Sequence, residues 1–231
     1  MAADPALLTS ATNVLTAAAA LGMAAYGFVD ATKIGKKGGI SNAGFKKITE
    51  CLKPFVPALS AASSTWRETL HSHWVNGTAL ELQKAGAKSL IRLGLNPKNA
   101  AALAPHGHVE PEPFAAAVTR VFNGVALTPQ DLAVLGRFDA SVDTVLDAGY
   151  ERADQKYRNS ARVLAGFFAI VLAVIAGYML STDRPHFFAS LELLRAVLIG
   201  AVSVPLAPIA KDLASSLTAA VSALKTVRGG S

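Results

Sequence analysis

The chain has 231 residues, 52% of them apolar and 16% charged, with 22 Lys+Arg against 16 Asp+Glu for a net charge of +6. Ample apolar surface excludes a disordered chain, and the charge content falls below the roughly one-quarter of a soluble domain. A single cysteine, Cys51, excludes a disulfide framework and a multi-cysteine zinc site.

Residues 5–29 carry no charge, which is long enough for a membrane-spanning helix of roughly 20 residues. A cleaved signal peptide would want Lys or Arg ahead of the apolar run, and only Asp4 stands there. The basic residues follow instead, so the run reads as an uncleaved anchor. Residues 30–155 then read as one helical domain. Thr65-Trp-Arg-Glu68 and Thr78-Ala-Leu-Glu81 match the capping box, and Asn96-Pro97 and Thr128-Pro129 place a cap before a proline at the first helical position. Apolar residues recur at helical spacing through Leu80, Leu90, Ile91 and Leu95, through Phe114, Val118, Val121 and Phe122, and from Leu132 to Leu146. Asn76-Gly77 reads as a helix–helix turn and Glu110-Pro-Glu-Pro113 as a rigid connector. No alternating run with a hairpin turn marks a strand.

The pattern beginning at Pro129 runs without a breaker towards a second span at 163–181. There Ala165, Ala169, Ala173 and Gly177 recur every four residues, a strip suited to close helix packing in lipid. A third span is expected at 187–210, kinked by Pro205 and Pro208, with Glu192 and Arg195 at i,i+3 spacing. Residues 211–231 read as an amphipathic cytoplasmic tail.

The positive-inside rule orients these elements. The segments 33–53, 152–162 and 211–228 hold 13 of the 22 Lys+Arg, whereas 54–150 balances seven basic against eight acidic residues. The basicity is therefore a topology signal and not a nucleic-acid footprint. The fold class expected is an all-α protein of the bacterial inner membrane, with three transmembrane helices and a helical cytoplasmic domain between the first and second. The N-terminus lies outside; the main domain and C-terminus lie in the cytoplasm.

Candidate chemistry is sparse. His71 and His73 stand two apart on a helix, which points them about 200° apart, so they cannot share a metal easily. His106 and His108 sit in a loop that reads as solvated. Gly35-Lys-Lys-Gly-Gly39 lacks the spacing of a phosphate loop. No nucleophile elbow or flanking carboxylate pair appears, so no catalytic, cofactor or metal residues are assigned and the chain reads as non-enzymatic. Asp139, Asp143, Asp147 and Glu151 form an acidic ladder at four-residue spacing, whose mutual repulsion calls for a counter-charge. The expectation is docking, within or between chains, against the juxtamembrane lysines Lys33, Lys36, Lys37, Lys46, Lys47 and Lys53. These lysines also suit anionic headgroups. Thr9, Asn13 and Thr16 share one face of the first span and would line a conduit if copies assembled into a pore.

The layout is similar to a group of bacterial membrane proteins of undescribed activity, with an N-terminal span, a helical cytoplasmic domain, a long helix entering a second span and a final proline-containing span. Lys88-Ser-Leu-Ile-Arg92, Val109-Glu-Pro-Glu-Pro-Phe-Ala-Ala-Ala117, residues 138–157 and Val202-Ser-Val-Pro-Leu-Ala-Pro208 carry the likeness. It departs in a very short outer turn between the last two spans. The resemblance implies topology and no mechanism. The function expected is a homo-oligomeric scaffold or docking module, with anionic lipid and an unidentified cytoplasmic protein as partners; the alternative is a homo-oligomeric pore.

Overall fold

The computed structural model describes residues 5–32 and 38–207, with side chains from Thr16 on. Every regular element among the described residues is helical. In chain order these are α1 (Pro5–Ala31), α2 (Ser41–Leu52), α3 (Val56–Ala62), α4 (Trp66–Val75), α5 (Leu80–Gly94), α6 (Ala100–Leu103), α7 (Pro111–Phe122), α8 (Pro129–Leu180) and α9 (191–207). Short 3-10 turns lie at Lys53–Phe55, Ala104–Gly107 and Arg184–Ala189. The chain divides into two compact units, one formed by Gly35–Arg158 and the other by Met1–Ile34 with Asn159–Ser231.

The Gly35–Arg158 unit is built around a large-residue core. Ile48, Leu52, Phe55, Leu59, Ile91 and Phe114 are fully buried together with Phe138 and Tyr150 of α8. Phe114 stacks on Phe138 with ring centroids 4.4 Å apart, and Phe55 meets Phe138 edge-on at 6.4 Å. Burying side chains of this size contributes roughly 1.5–3 kcal/mol each, which is what orders the short helices around α8. Glycines permit the closest contacts. A Cβ on Gly94 would lie 2.6 Å from the Ala58 carbonyl carbon, so α3 and α5 touch backbone to backbone.

Several local expectations are corrected. Thr65 starts α4 without a side-chain cap, and α5 begins at Leu80, with the Thr78 carbonyl accepting from Gln83 instead. Asn96 forms a turn by accepting from the Lys98 and Asn99 amides, and α6 starts only at Ala100. Glu110-Pro-Glu-Pro113 is the start of α7 and not a connector, with Glu110 as its cap residue. Two assignments agree with the structure. Gly77, at φ +67°, closes α4 and turns the chain into α5. Thr128 begins α8 through a reciprocal box, in which its amide and hydroxyl donate to Asp131 and its hydroxyl accepts from the Asp131 amide.

The second unit contains α1, α8 from Asn159 on, and α9. Its interior is mostly small: Ala18, Ala19 and Ala25 of α1, Ala165, Ala169 and Ala173 of α8, and Ala196, Ser203 and Ala207 of α9 are buried, joined by Val29, Phe187 and Val204. A Cβ on Gly200 would fall 2.5 Å from the Ile170 Cα and 2.9 Å from the Ala169 oxygen. One on Gly177 would fall 3.2 Å from the Ala196 Cβ, and one on Gly22 would fall 2.9 Å from the Ala207 Cβ. The expected packing strip is therefore occupied by α9. α9 carries Pro205 inside its helical run. Lys33, Lys36, Lys37, Pro208 and the tail 211–231 lie outside the described residues, as do the side chains of Thr9 and Asn13. Thr16 is exposed.

Candidate functional site

The acidic ladder has a specific answer in the structure. α5 carries Lys84, Lys88 and Arg92 at the same four-residue spacing, and α8 runs past it in the opposite direction. Lys84 reaches Asp147 at 2.8 Å, and Lys88 reaches Asp143 at 2.6 Å and Asp139 at 2.8 Å. Arg92 grips Asp139 with two bonds, from Nε at 2.7 Å and Nη2 at 2.5 Å. Two charged rows at one-turn spacing therefore interlock. Among the described residues the ladder is met by α5 and not by the juxtamembrane lysines; Lys47 pairs with Glu50 instead, and Glu151 has no ion-pair partner. The α5 row was visible in the sequence as a basic row of the ladder's own period.

The partly buried members of this network shift in the direction the pairing requires. Burial works against charge on Asp139, yet hydrogen bonds from Arg92 and Lys88 outweigh it and hold its carboxyl below the ordinary range. Burial likewise opposes charge on Lys88, but its bonds to Asp139 and Asp143 raise it. Hydrogen bonds to Asp147 and Glu81 raise Lys84. Stabilisation from the depressed Asp139 is present above its unfolded value and lost as pH falls through its folded value. Stabilisation from the raised Lys84 and Lys88 is lost only as pH climbs through their folded values. Replacing Asp139, Asp143 and Asp147 together with Asn should cost the unit about 2 kcal/mol at neutral pH. The deficit should shrink as pH falls through the folded value of Asp139. Urea unfolding followed through Trp66 and Trp74, the only tryptophans, reads this unit alone; equal midpoints at neutral pH would contradict a stabilising ladder.

Beside the Arg92–Asp139 pair lies an apolar groove of about 590 Å³. Leu93, Val121, Phe122 and Leu132 form its lips and Leu135 and Phe138 line it. Val121, Phe122 and Leu132 follow helical apolar spacing, and the structure leaves them exposed, Phe122 by 65%, with Leu93 beside them 73% exposed. Periodicity alone cannot separate a core stripe from a docking stripe, since both are apolar at the same spacing. Gly136 on the same stretch of α8 has nothing within 4 Å of the position a Cβ would take. An exposed glycine inside a helix costs about 1 kcal/mol relative to alanine, and no contact within the chain explains it.

The remaining candidates are structural. His71 Nε2 hydrogen-bonds Asn42 Oδ1 at 3.0 Å and its ring packs on Phe45. His106 lies edge-on to Phe55. No group of His, Cys, Asp and Glu among the described residues is placed to hold a metal. Burial pushes the Cys51 thiol up to about 11, so it stays protonated at neutral pH and is a poor nucleophile. No family model, curated protein or solved structure matches the chain.

Proposed function

We propose that this chain is a non-enzymatic, homo-oligomeric docking module of the bacterial inner membrane. It is anchored by spans at 5–29, 163–181 and 187–210, and its helical unit presents the α5–α7–α8 groove to further copies in the cytoplasm. One observation carries the reading: along α8 of the α1–α8–α9 unit small residues face in and large apolar ones face out. Ala165 and Ala169 are fully buried, while Val163 is 76% exposed and Phe167 60% exposed on the same helix. In water, large side chains go inside, and a patch of exposed ones this extensive is rare on a monomer. In lipid, helices associate through small residues and turn large apolar ones outward. α8 is long and apolar enough to cross a membrane, and only 17% of its most apolar stretch is buried, unlike the core helix of a soluble protein. Layout likeness to three-span bacterial membrane proteins supports the same assignment.

Copies held by one membrane meet in two dimensions, which raises the effective concentration of a modest interface. The groove suits such an interface: Phe122 lines it and is 65% exposed, and Gly136 leaves room for close approach. Phe122→Glu should weaken self-association at least tenfold, because a charge is then buried against apolar walls. Light scattering of detergent-solubilised protein checks this, and an oligomer unchanged in mass would contradict docking through the groove.

A further inference from the structure

In the α1–α8–α9 unit a cleft of about 440 Å³ has Leu21, Ala173, Gly177, Phe187 and Ile199 among its walls, and Glu192 and Arg195 share its lining. The volume lies within the range of small-molecule sites. Glu192 and Arg195 are exposed, carry opposite charge and stand three apart on α9, a spacing at which side chains meet. They form no ion pair with each other or with any other described residue. At the same spacing elsewhere in the chain, Lys47–Glu50 and Glu81–Lys84 close to 2.7 Å. Ser181 also lines the cleft, and its hydroxyl oxygen is buried with no hydrogen-bond partner. Tyr178, Phe187 and Phe188 cluster at this end, with ring centroids 5.4–5.9 Å apart. Aromatic clusters of this kind favour the headgroup level of a bilayer.

We propose that the cleft binds a zwitterionic phospholipid whose headgroup ends in a primary ammonium. An acyl chain lies along the apolar wall, Arg195 and the Ser181 hydroxyl donate to the phosphate, and Glu192 accepts from the ammonium. The two-carbon spacer between phosphate and ammonium matches the one-turn spacing of the two side chains. A choline headgroup presents charge but no N–H, and a glycerol headgroup presents O–H donors but no positive charge, so neither gives Glu192 a charge-assisted hydrogen bond. This assignment rests on the membrane reading above.

The test uses full-length protein, delipidated in detergent. It is incubated with equal amounts of phosphatidylethanolamine, phosphatidylcholine and phosphatidylglycerol of identical acyl chains, and the lipid that co-purifies is measured by mass spectrometry. The wild type should retain about fivefold more ethanolamine lipid than either competitor, the ratio that one net hydrogen bond supplies. E192Q should erase that preference, R195Q should lose all three lipids, and E81Q should change nothing. Equal retention by the wild type, or a preference that survives E192Q, overturns the proposal. Alkaline carbonate extraction of membranes from the same cells separates the two failures. Protein that resists extraction but shows no preference sinks this inference alone, whereas protein that is extracted sinks the membrane reading and this inference with it.

Discussion

Gly200→Leu is expected to dismantle the α1–α8–α9 unit. α9 approaches α8 so closely at this point that even a Cβ would press on the Ile170 Cα and the Ala169 oxygen, which are backbone atoms with no rotamer to yield. The helices must separate, and the contacts of Ala169, Ala173 and Ala196 are lost together. Overpacking of a tight interface costs about 1–3 kcal/mol when side chains can move and more when backbone must. Helix pairs in lipid have no hydrophobic effect with which to re-form. Gly166 supplies the control, since nothing lies within 4 Å of its Cβ position. Gly166→Leu should leave the unit intact. Limited proteolysis of the detergent-solubilised protein reads the difference: new cleavage between α8 and α9 in Gly200→Leu only. Equal resistance of both variants would contradict the seam.

Gly94→Ala should be the most destabilising single methyl in the other unit, at about 3 kcal/mol or more. The added carbon would fall inside contact distance of the Ala58 carbonyl oxygen and 3.0 Å from the Ala62 amide nitrogen. α3 and α5 would have to part, exposing Ala58, Leu59 and Ile91, which are all fully buried. The contrasting substitution is Gly136→Ala. Its methyl meets open space inside the N-terminal part of α8, so it should stabilise by about 0.5–1 kcal/mol through helix propensity. Both effects appear in urea unfolding followed by tryptophan fluorescence. A neutral Gly94→Ala would contradict the backbone contact between α3 and α5.

Much of the helical order was legible from the chain alone. The breaker-free pattern after Thr128 anticipated the long helix α8, and the period-four alanines anticipated a packed face. Caps were read less well, because a hydroxyl followed by a carboxylate three residues on is necessary for a capping box but does not create one. After Gly77 the helix starts one residue later than a Thr78 cap requires, with Ala79 at the cap position, and Glu81 pairs with Lys84. The ladder is legible in the sequence at its four-residue spacing, but the lysines of 33–53 are not the partner that the described residues show. The true register sits in α5, where Lys84, Lys88 and Arg92 repeat at the ladder's own spacing. Pairing of two helices depends on which faces the core brings together, and a one-dimensional pattern does not contain that. The groove was hidden for the same reason: Val121 and Phe122 look like core residues until the positions of α5 and α8 are known.

The central claim is that α8 leaves a cytoplasmic unit and crosses the inner membrane to an outer turn around Thr182. Labelling of single cysteines with a membrane-impermeant thiol reagent tests it most directly, in a Cys51→Ala background. A cysteine at Thr182 should react in intact cells, and one at Ser89 on α5 should react only after the membrane is opened. Labelling of Ser89 in intact cells, or of Thr182 only after lysis, would contradict the account.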